Sequence, residues 1–192
     1  MAGQPQHGIY GAMFARQGRN LEDGDTRAAS KSMTNASKTV SAREKAELAN
    51  RLIDDERGLG HEMEVRVYYE DTDFSGVVYH SNYLKYMERS RTEWLRHLRV
   101  FHTDLEADKS AFAIHRMNLQ FGPPARIDDL LTVRTIRNKL TGARSFLRQE
   151  VLRREADGTE TLLCGADVEV AFIHHGGGAK RFPDDLREKL GG

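Results

Sequence analysis

Tyr69-Glu70-Asp71-Thr72-Asp73-Phe74-Ser75-Gly76-Val77-Val78-Tyr79-His80-Ser81-Asn82-Tyr83 joins an alternating apolar run to the longest helical pattern in the chain. Upstream, Met63, Val65, Val67 and Tyr69 alternate with Glu64, Arg66 and Tyr68, the period-two pattern of a half-buried strand. Downstream, a helix is expected from about Ser81 to Leu98. Tyr83, Leu84, Met87, Trp94, Leu95 and Leu98 share one of its faces, and Lys85, Arg89, Thr92, Glu93 and Arg96 the other. Ser90 interrupts the apolar face with a small side chain, which suits close approach to a sheet. A strand that empties three carboxylates and a histidine into a helix start sets acids beside free backbone N–H groups and the positive end of a dipole. Such a junction is good ground for acid–base or nucleophilic chemistry.

The rest of the chain reads as strands. Ala111, Ala113, Met117, Leu119 and Phe121 alternate with more polar neighbours until Gly122-Pro123-Pro124 stops the run. Asp129 to Lys139 and Ala143 to Arg154 form a hairpin around Thr141-Gly142, and Asp157-Gly158 marks the next turn. Leu162, Cys164, Ala166, Val168, Val170 and Phe172 line one face of a last strand, and Pro183 to Leu190 suits a short terminal helix. The order defines an α+β hotdog fold, with one long central helix packed on a curved antiparallel five-stranded sheet. One helix leaves much of such a sheet uncovered, so a homodimer joined edge to edge, or a homotetramer of stacked dimers, is expected.

Residues 1 to about 40 are rich in Gly, Ser, Thr, Ala and Asn without apolar period, which reads as a flexible extension. Ser41-Ala42-Arg43-Glu44 has capping-box spacing, and Lys45 to Glu56 suits a short charged helix closed by Gly58 and Gly60. The expected division is therefore a flexible N-terminal extension over 1–60 and a hotdog domain over 61–192, with the folded core starting at Met63.

The 192 residues carry 29 basic and 29 acidic side chains, so no global charge draws the chain to nucleic acid. No apolar run approaches the roughly 20 residues of a membrane span. The lone Cys164 rules out an internal disulfide or a CxxC motif. With no secretory pattern at the N-terminus, a cytoplasmic location is expected. His174-His175 point to opposite faces of a strand and so make a poor metal pair; no metal is expected.

The stretch from Tyr68 to Tyr83 resembles the signature of Tol-Pal-associated (YbgC-type) acyl-CoA thioesterases, which are similar to 4-hydroxybenzoyl-CoA thioesterases. The resemblance continues through Tyr86-Met87-Glu88-Arg89-Ser90-Arg91-Thr92-Glu93-Trp94-Leu95 and, more loosely, Gly122 to Asp129. It implies hydrolysis of acyl-CoA without a cofactor, CoA being part of the substrate, at a site on a subunit interface. It places the catalytic carboxylate at Asp73, two residues before the small-residue-Gly pair, where direct attack and general-base activation of water remain open alternatives. His80 and Gly76 take supporting roles, His80 near the carbonyl and Gly76 at the tight turn. Phe74, Val77 and Tyr79 are the expected pocket residues, with Phe74 standing where relatives often carry a smaller side chain. The Tol-Pal link implies a setting in lipid metabolism, peripheral to the inner membrane.

Between Arg116 and Arg154 stand nine basic residues (Arg116, Arg126, Arg134, Arg137, Lys139, Arg144, Arg148, Arg153, Arg154) against Asp128, Asp129 and Glu150. They suit the phosphates of CoA or an acidic acyl carrier protein, although a solvated strand face accounts for most of them. A hotdog hydratase would need a differently placed His and acid. A non-catalytic module that binds acyl-CoA or acyl carrier protein is the alternative from another class.

Overall fold

The computed structural model describes residues 49–192. Six strands form one antiparallel sheet: β1 (Asn50–Asp55), β2 (Gly58–Arg66), β3 (Ser110–Phe121), β4 (Leu130–Leu140), β5 (Arg144–Arg154) and β6 (Glu160–His174), ordered β1-β2-β4-β5-β6-β3. The long helix α1 (His80–His97) lies against β1, β2, β4 and β5. Two short helices, α2 (His102–Ala107) and α3 (Asp184–Lys189), close the β3 end. This is the hotdog arrangement expected from the sequence, with one strand more.

The extra strand corrects the N-terminal boundary. Asn50 to Asp55, expected to continue a helix, instead pair with Gly58 to Met63 in a hairpin. Sheet pairing overrides a thin helical stripe when a partner strand lies two residues away. Gly58 turns the hairpin at φ +111°, and Gly60 lies inside the sheet, where a Cβ would meet the Thr135 carbonyl oxygen at 2.2 Å. The expected helix segment 45–48, the capping box at 41–44 and the extension over 1–40 lie outside the described residues.

Tyr83, Tyr86, Met87 and Trp94 of α1 pack on Val65, Val67, Leu131, Val133, Leu147, Val151, Ala166 and Val168 of the sheet. A second cluster joins Leu95 and Val100 to Phe172, Phe182, Leu186 and Leu190 under α3. Register shifts in three ladders, the β4–β5 one between Arg137 and Lys139 among them, re-phase the expected alternation. In β3 the register shifts between Ile114 and Arg116, so Phe112 packs on Phe172 while Met117 and Leu119 serve the core beyond the bulge. In the β5–β6 ladder it shifts at Val151/Leu152, which turns Leu163 inward and leaves Leu162 partly exposed. An extra residue exchanges the two faces of a strand, and a strict period of two cannot anticipate it. Cys164 is buried, which pushes its thiol up to about 11.

Ser90 does bring helix and sheet together, and it does so through a buried polar chain. Gln149 Nε2 donates to Thr135 Oγ1 at 2.7 Å and to the Met87 carbonyl at 3.0 Å. The Thr135 hydroxyl is then free to donate to Ser90 Oγ at 2.9 Å, and Ser90 faces His61 Nδ1 at 3.5 Å. His61 Nε2 donates to Asn50 Oδ1 at 2.6 Å, which ties β1 into the chain. Each buried member has a partner, as burial of polar groups demands.

His61 is fully buried, and its pKa falls from 6.5 to about 4. Burial is the main cause; His97 adds to the depression, and Glu93 and Glu62 oppose it. The folded state therefore resists a proton that the unfolded chain accepts. Stability from the neutral ring is complete above about pH 6.5 and is lost progressively as pH falls toward 4. Urea unfolding across that window is expected to show a slope of at most about 1.4 kcal/mol per pH unit from this group. His61→Gln should flatten the slope; an unchanged slope would assign it elsewhere.

Candidate active site

The junction between β2 and α1 is built from backbone hydrogen bonds. Asp71, in a one-turn 3-10 segment (Tyr69–Asp71), is buried and accepts the Tyr68 N–H on Oδ2 at 2.9 Å. Its carbonyl accepts the Tyr79 N–H at 2.9 Å and Asn82 Nδ2 at 2.8 Å, which fixes the start of α1. Asp71 thus holds the loop, and its charge adds to burial in raising the Tyr86 hydroxyl pKa. The loop is also attached to the β3–β4 connection. Val78 N–H donates to the Ala125 carbonyl at 2.8 Å, and Val77 pairs with Arg126.

Asp73 sits on the outer side of this frame. Its N–H donates to the Val77 carbonyl at 2.9 Å, and its carbonyl accepts the Gly76 N–H at 3.0 Å. Its side-chain Oδ1 accepts the Ser75 N–H at 2.8 Å and the Ser75 hydroxyl at 2.5 Å. The two Ser75 donors, the hydroxyl first, hold this exposed carboxyl below the usual aspartate range. Asp73 is therefore an ionised, oriented carboxylate in contact with solvent. Of the three acids in the loop, Asp71 is used structurally and Asp73 presents its carboxylate to solvent.

Gly76 takes φ +76° with open space where a Cβ would lie. A side chain there costs backbone strain alone, so Gly76→Ala is expected to lose about 1 kcal/mol in urea unfolding. A loss above about 3 kcal/mol would reveal a contact that the open space does not show.

His80 and Ser81 open α1, and neither N–H has a backbone acceptor among the described residues. Two free donors at a helix start suit a developing anion. The His80 ring lies 4.3 Å from that of Tyr79 and edge-on to Phe121 at 6.5 Å. Phe121 in turn packs on Tyr83, whose hydroxyl accepts the Ala125 N–H at 2.9 Å. Tyr79 is half-exposed, Val77 half-buried, and Phe74 projects fully into solvent. Within one chain the three expected pocket residues therefore line the loop without enclosing a space.

Five of the nine basic residues in the band meet acids, Arg154 with Glu160 among them. Arg134 meets Glu62, Glu150 and Glu160; Arg144 meets Glu169; Arg148 meets Glu150 and Asp167; Arg153 meets Asp129 and Glu155. Five of these acids lie outside the 116–154 stretch, so a count along the sequence overstated the charge. Arg116 and Arg126 have no ion pair among the described residues, and Arg126 adjoins Val77 of the loop. No group of three or more His, Cys, Asp or Glu among the described residues could hold a metal ion. No helix among them is long and apolar enough to cross a membrane.

Fold and loop together define a hotdog protein of the thioesterase class. The family model of the thioesterase-like superfamily matches residues 67–190, and the chain belongs to that family. It is 40% identical over 109 residues to the acyl-CoA thioester hydrolase YbgC of Escherichia coli O6:H1, covering 57% of this chain and 78% of the relative. It is also 40% identical over 118 residues to the acyl-CoA thioesterase YbgC of Haemophilus influenzae, covering 61% and 83%. Among solved structures, a probable thioesterase from Bartonella henselae superposes with TM-score 0.59 at 42% identity, covering 65% of this chain and 99% of that one.

Proposed function

We propose that this protein hydrolyses acyl-CoA thioesters to free acid and CoA, with Asp73 as the catalytic carboxylate. One observation carries the reading: a carboxylate fixed by Ser75 and open to solvent leads into the unpaired N–H groups at the start of α1. A thioester carbonyl requires an attacking oxygen and a stabiliser for the oxyanion, since the thiolate leaves readily. Asp73 either attacks the carbonyl carbon, forming a mixed anhydride that water then opens, or takes a proton from the water that attacks. In both routes the carbonyl oxygen gains the negative charge, the N–H groups of His80 and Ser81 receive it, and the C–S bond breaks as the carbonyl reforms. Gly76 sets the turn that presents Asp73. The His80 ring, held between Tyr79 and Phe121, flanks the same helix start.

Phe74, Val77 and Tyr79 form one wall of the acyl site, and exposed Phe74 needs a second copy of the chain to enclose it. Arg126, beside Val77 and without an ion pair, is a candidate for the CoA phosphates. No cofactor takes part. Acyl carrier protein as thioester donor and work at the inner membrane in a Tol-Pal setting belong to the same reading.

The test is release of free thiol by the pure protein from a panel of short aliphatic, long aliphatic and aromatic CoA esters. Ester-dependent turnover above the uncatalysed rate is expected for at least one class. A flat background rate across the panel would leave a module that binds acyl-CoA or acyl carrier protein without turning it over.

A further inference from the structure

The loop that carries Asp73 is a small hairpin closed by local hydrogen bonds. Thr72 pairs with Val78, the Asp73 N–H donates to the Val77 carbonyl, and the N–H groups of Ser75 and Gly76 close the tip onto Asp73. These bonds shape the hairpin without setting its tilt over the start of α1. Two neighbouring residues in the first turn of α1 reach back to set it, one on each arm. Asn82 is 5% exposed, and its Nδ2 donates at 2.8 Å to the carbonyl of Asp71, where the first arm begins. Tyr83 is 3% exposed, and its hydroxyl accepts the Ala125 N–H at 2.9 Å. The Ala125 carbonyl in turn accepts the N–H of Val78, on the second arm, at 2.8 Å, and Val77 bridges to the adjoining Arg126. Edge contacts with Phe121 at 6.0 Å and Tyr86 at 6.2 Å fix the Tyr83 ring itself.

Both side chains bring a polar group into the protein interior, which is unfavourable unless that group is bonded. Packing alone does not require either group. The Asp71 carbonyl already accepts the Tyr79 N–H at 2.9 Å, so it does not need the Asn82 amide to be satisfied. Phenylalanine in place of Tyr83 would keep both ring contacts. What the amide and the hydroxyl add is a fixed distance between the Asp73 carboxylate and the unpaired N–H groups of His80 and Ser81. In the proposed reaction these groups flank one carbonyl, and a misplacement of about 1 Å is enough to cost about a hundredfold in rate.

We propose that Asn82 and Tyr83 are positioning residues, which together hold the Asp73 hairpin where its carboxylate and the N–H groups at the start of α1 meet the same thioester carbonyl. Neither touches the reacting atoms. Asn82 acts through Asp71, and Tyr83 acts through Ala125 and Val78. The proposal deepens the thioesterase reading and rests on it. Because both residues act on where the Asp73 carboxylate stands, their effect vanishes once that carboxylate is removed. A residue that merely supports the fold would cost the same with or without it.

The test is thiol release from a CoA ester that the wild type turns over, measured on the full chain carrying Asn82→Ala or Tyr83→Phe, each alone and combined with Asp73→Asn. Alone, each change is expected to lower kcat by about tenfold to a hundredfold, with KM within about threefold of wild type. Combined with Asp73→Asn, each is expected to lower the remaining rate by less than about threefold. Circular dichroism and melting of the same samples give the folded fraction, and rates are taken per folded molecule. Tyr83→Phe leaves the Ala125 N–H without its acceptor, whereas Asn82→Ala leaves the Asp71 carbonyl bonded to Tyr79, so the second variant carries the test if the first folds poorly. Undiminished kcat in either folded variant, a loss confined to KM, or an equal loss with and without the Asp73 carboxylate would overturn the proposal. Collapse of the fold in both variants would also overturn it, by making the role structural. Failure of the thioesterase reading shows separately, as absence of thiol release by the wild type from every CoA ester tried, and would overturn both.

Discussion

Asp73→Asn is expected to lower kcat/KM for acyl-CoA hydrolysis by about a thousandfold, within the range that a general base or nucleophile supplies. Asparagine keeps an oxygen for the Ser75 N–H and hydroxyl, so the turn that presents residue 73 survives. The Asp73 side chain is exposed and packs on nothing, so the melting temperature should stay within a degree or two of wild type. What disappears is the negative charge and the basic lone pair. Thiol release under kcat/KM conditions, with circular dichroism on the same sample, reads both quantities. Wild-type turnover by a folded Asp73→Asn protein would end the assignment.

The pH profile adds a second reading of the same group. The Ser75 donors keep the Asp73 carboxyl below its ordinary range, so it stays ionised through neutral pH. With the carboxylate as base or nucleophile, kcat/KM should run flat from pH 7 down to about 5 and fall below the ordinary carboxylate range, near pH 4. A limb between pH 6 and 7 would point to an imidazole as the titrating base. His80, at the opening of α1, would then be the residue to replace.

The helix, five of the six strands and the reactive loop were legible because each rests on a local pattern. The face of Tyr83, Met87 and Trp94 sets α1, and the Thr141-Gly142 and Asp157-Gly158 turns set the hairpins around β5. The loop motif led through a family resemblance to Asp73, and the structure adds why Asp71 is different: its carboxylate and carbonyl are consumed by Tyr68, Tyr79 and Asn82. Other features escaped because they depend on residues far apart in sequence. The chain from Gln149 through Thr135, Ser90 and His61 to Asn50 joins four strands to one helix, and of its members only Ser90, a small residue on an apolar face, gave a signal. A cavity lined by Arg91 and Trp94 is likewise made by β3, β5 and β6 closing on α1. Charge was misjudged for the same reason, since Glu62, Glu160, Asp167 and Glu169 meet the basic band across the ladder.

Gly60→Ala is expected to cost about 3 kcal/mol in urea unfolding, at the upper end for overpacking by a single methyl. Along the sequence, Gly60 reads as the close of a short charged helix, where a methyl would cost little. In the sheet it pairs with Ile53 on one side and Ile136 on the other. Its missing Cβ would stand 2.2 Å from the Thr135 carbonyl oxygen and 3.1 Å from the Ile136 Cα, both backbone atoms. No rotamer change relieves such a clash, so the β2–β4 ladder must spread. Thr135 and His61, on either side of that contact, belong to the buried polar chain, and spreading the ladder strains their hydrogen bonds as well. Gly142→Ala, at a hairpin turn where a Cβ meets nothing within 4 Å, is the matched control and should fall within about 1 kcal/mol of wild type. If the two variants unfold at the same urea concentration, the segment from Asn50 to Gly60 is not part of the sheet in solution, and the domain begins where the alternating run from Met63 placed it.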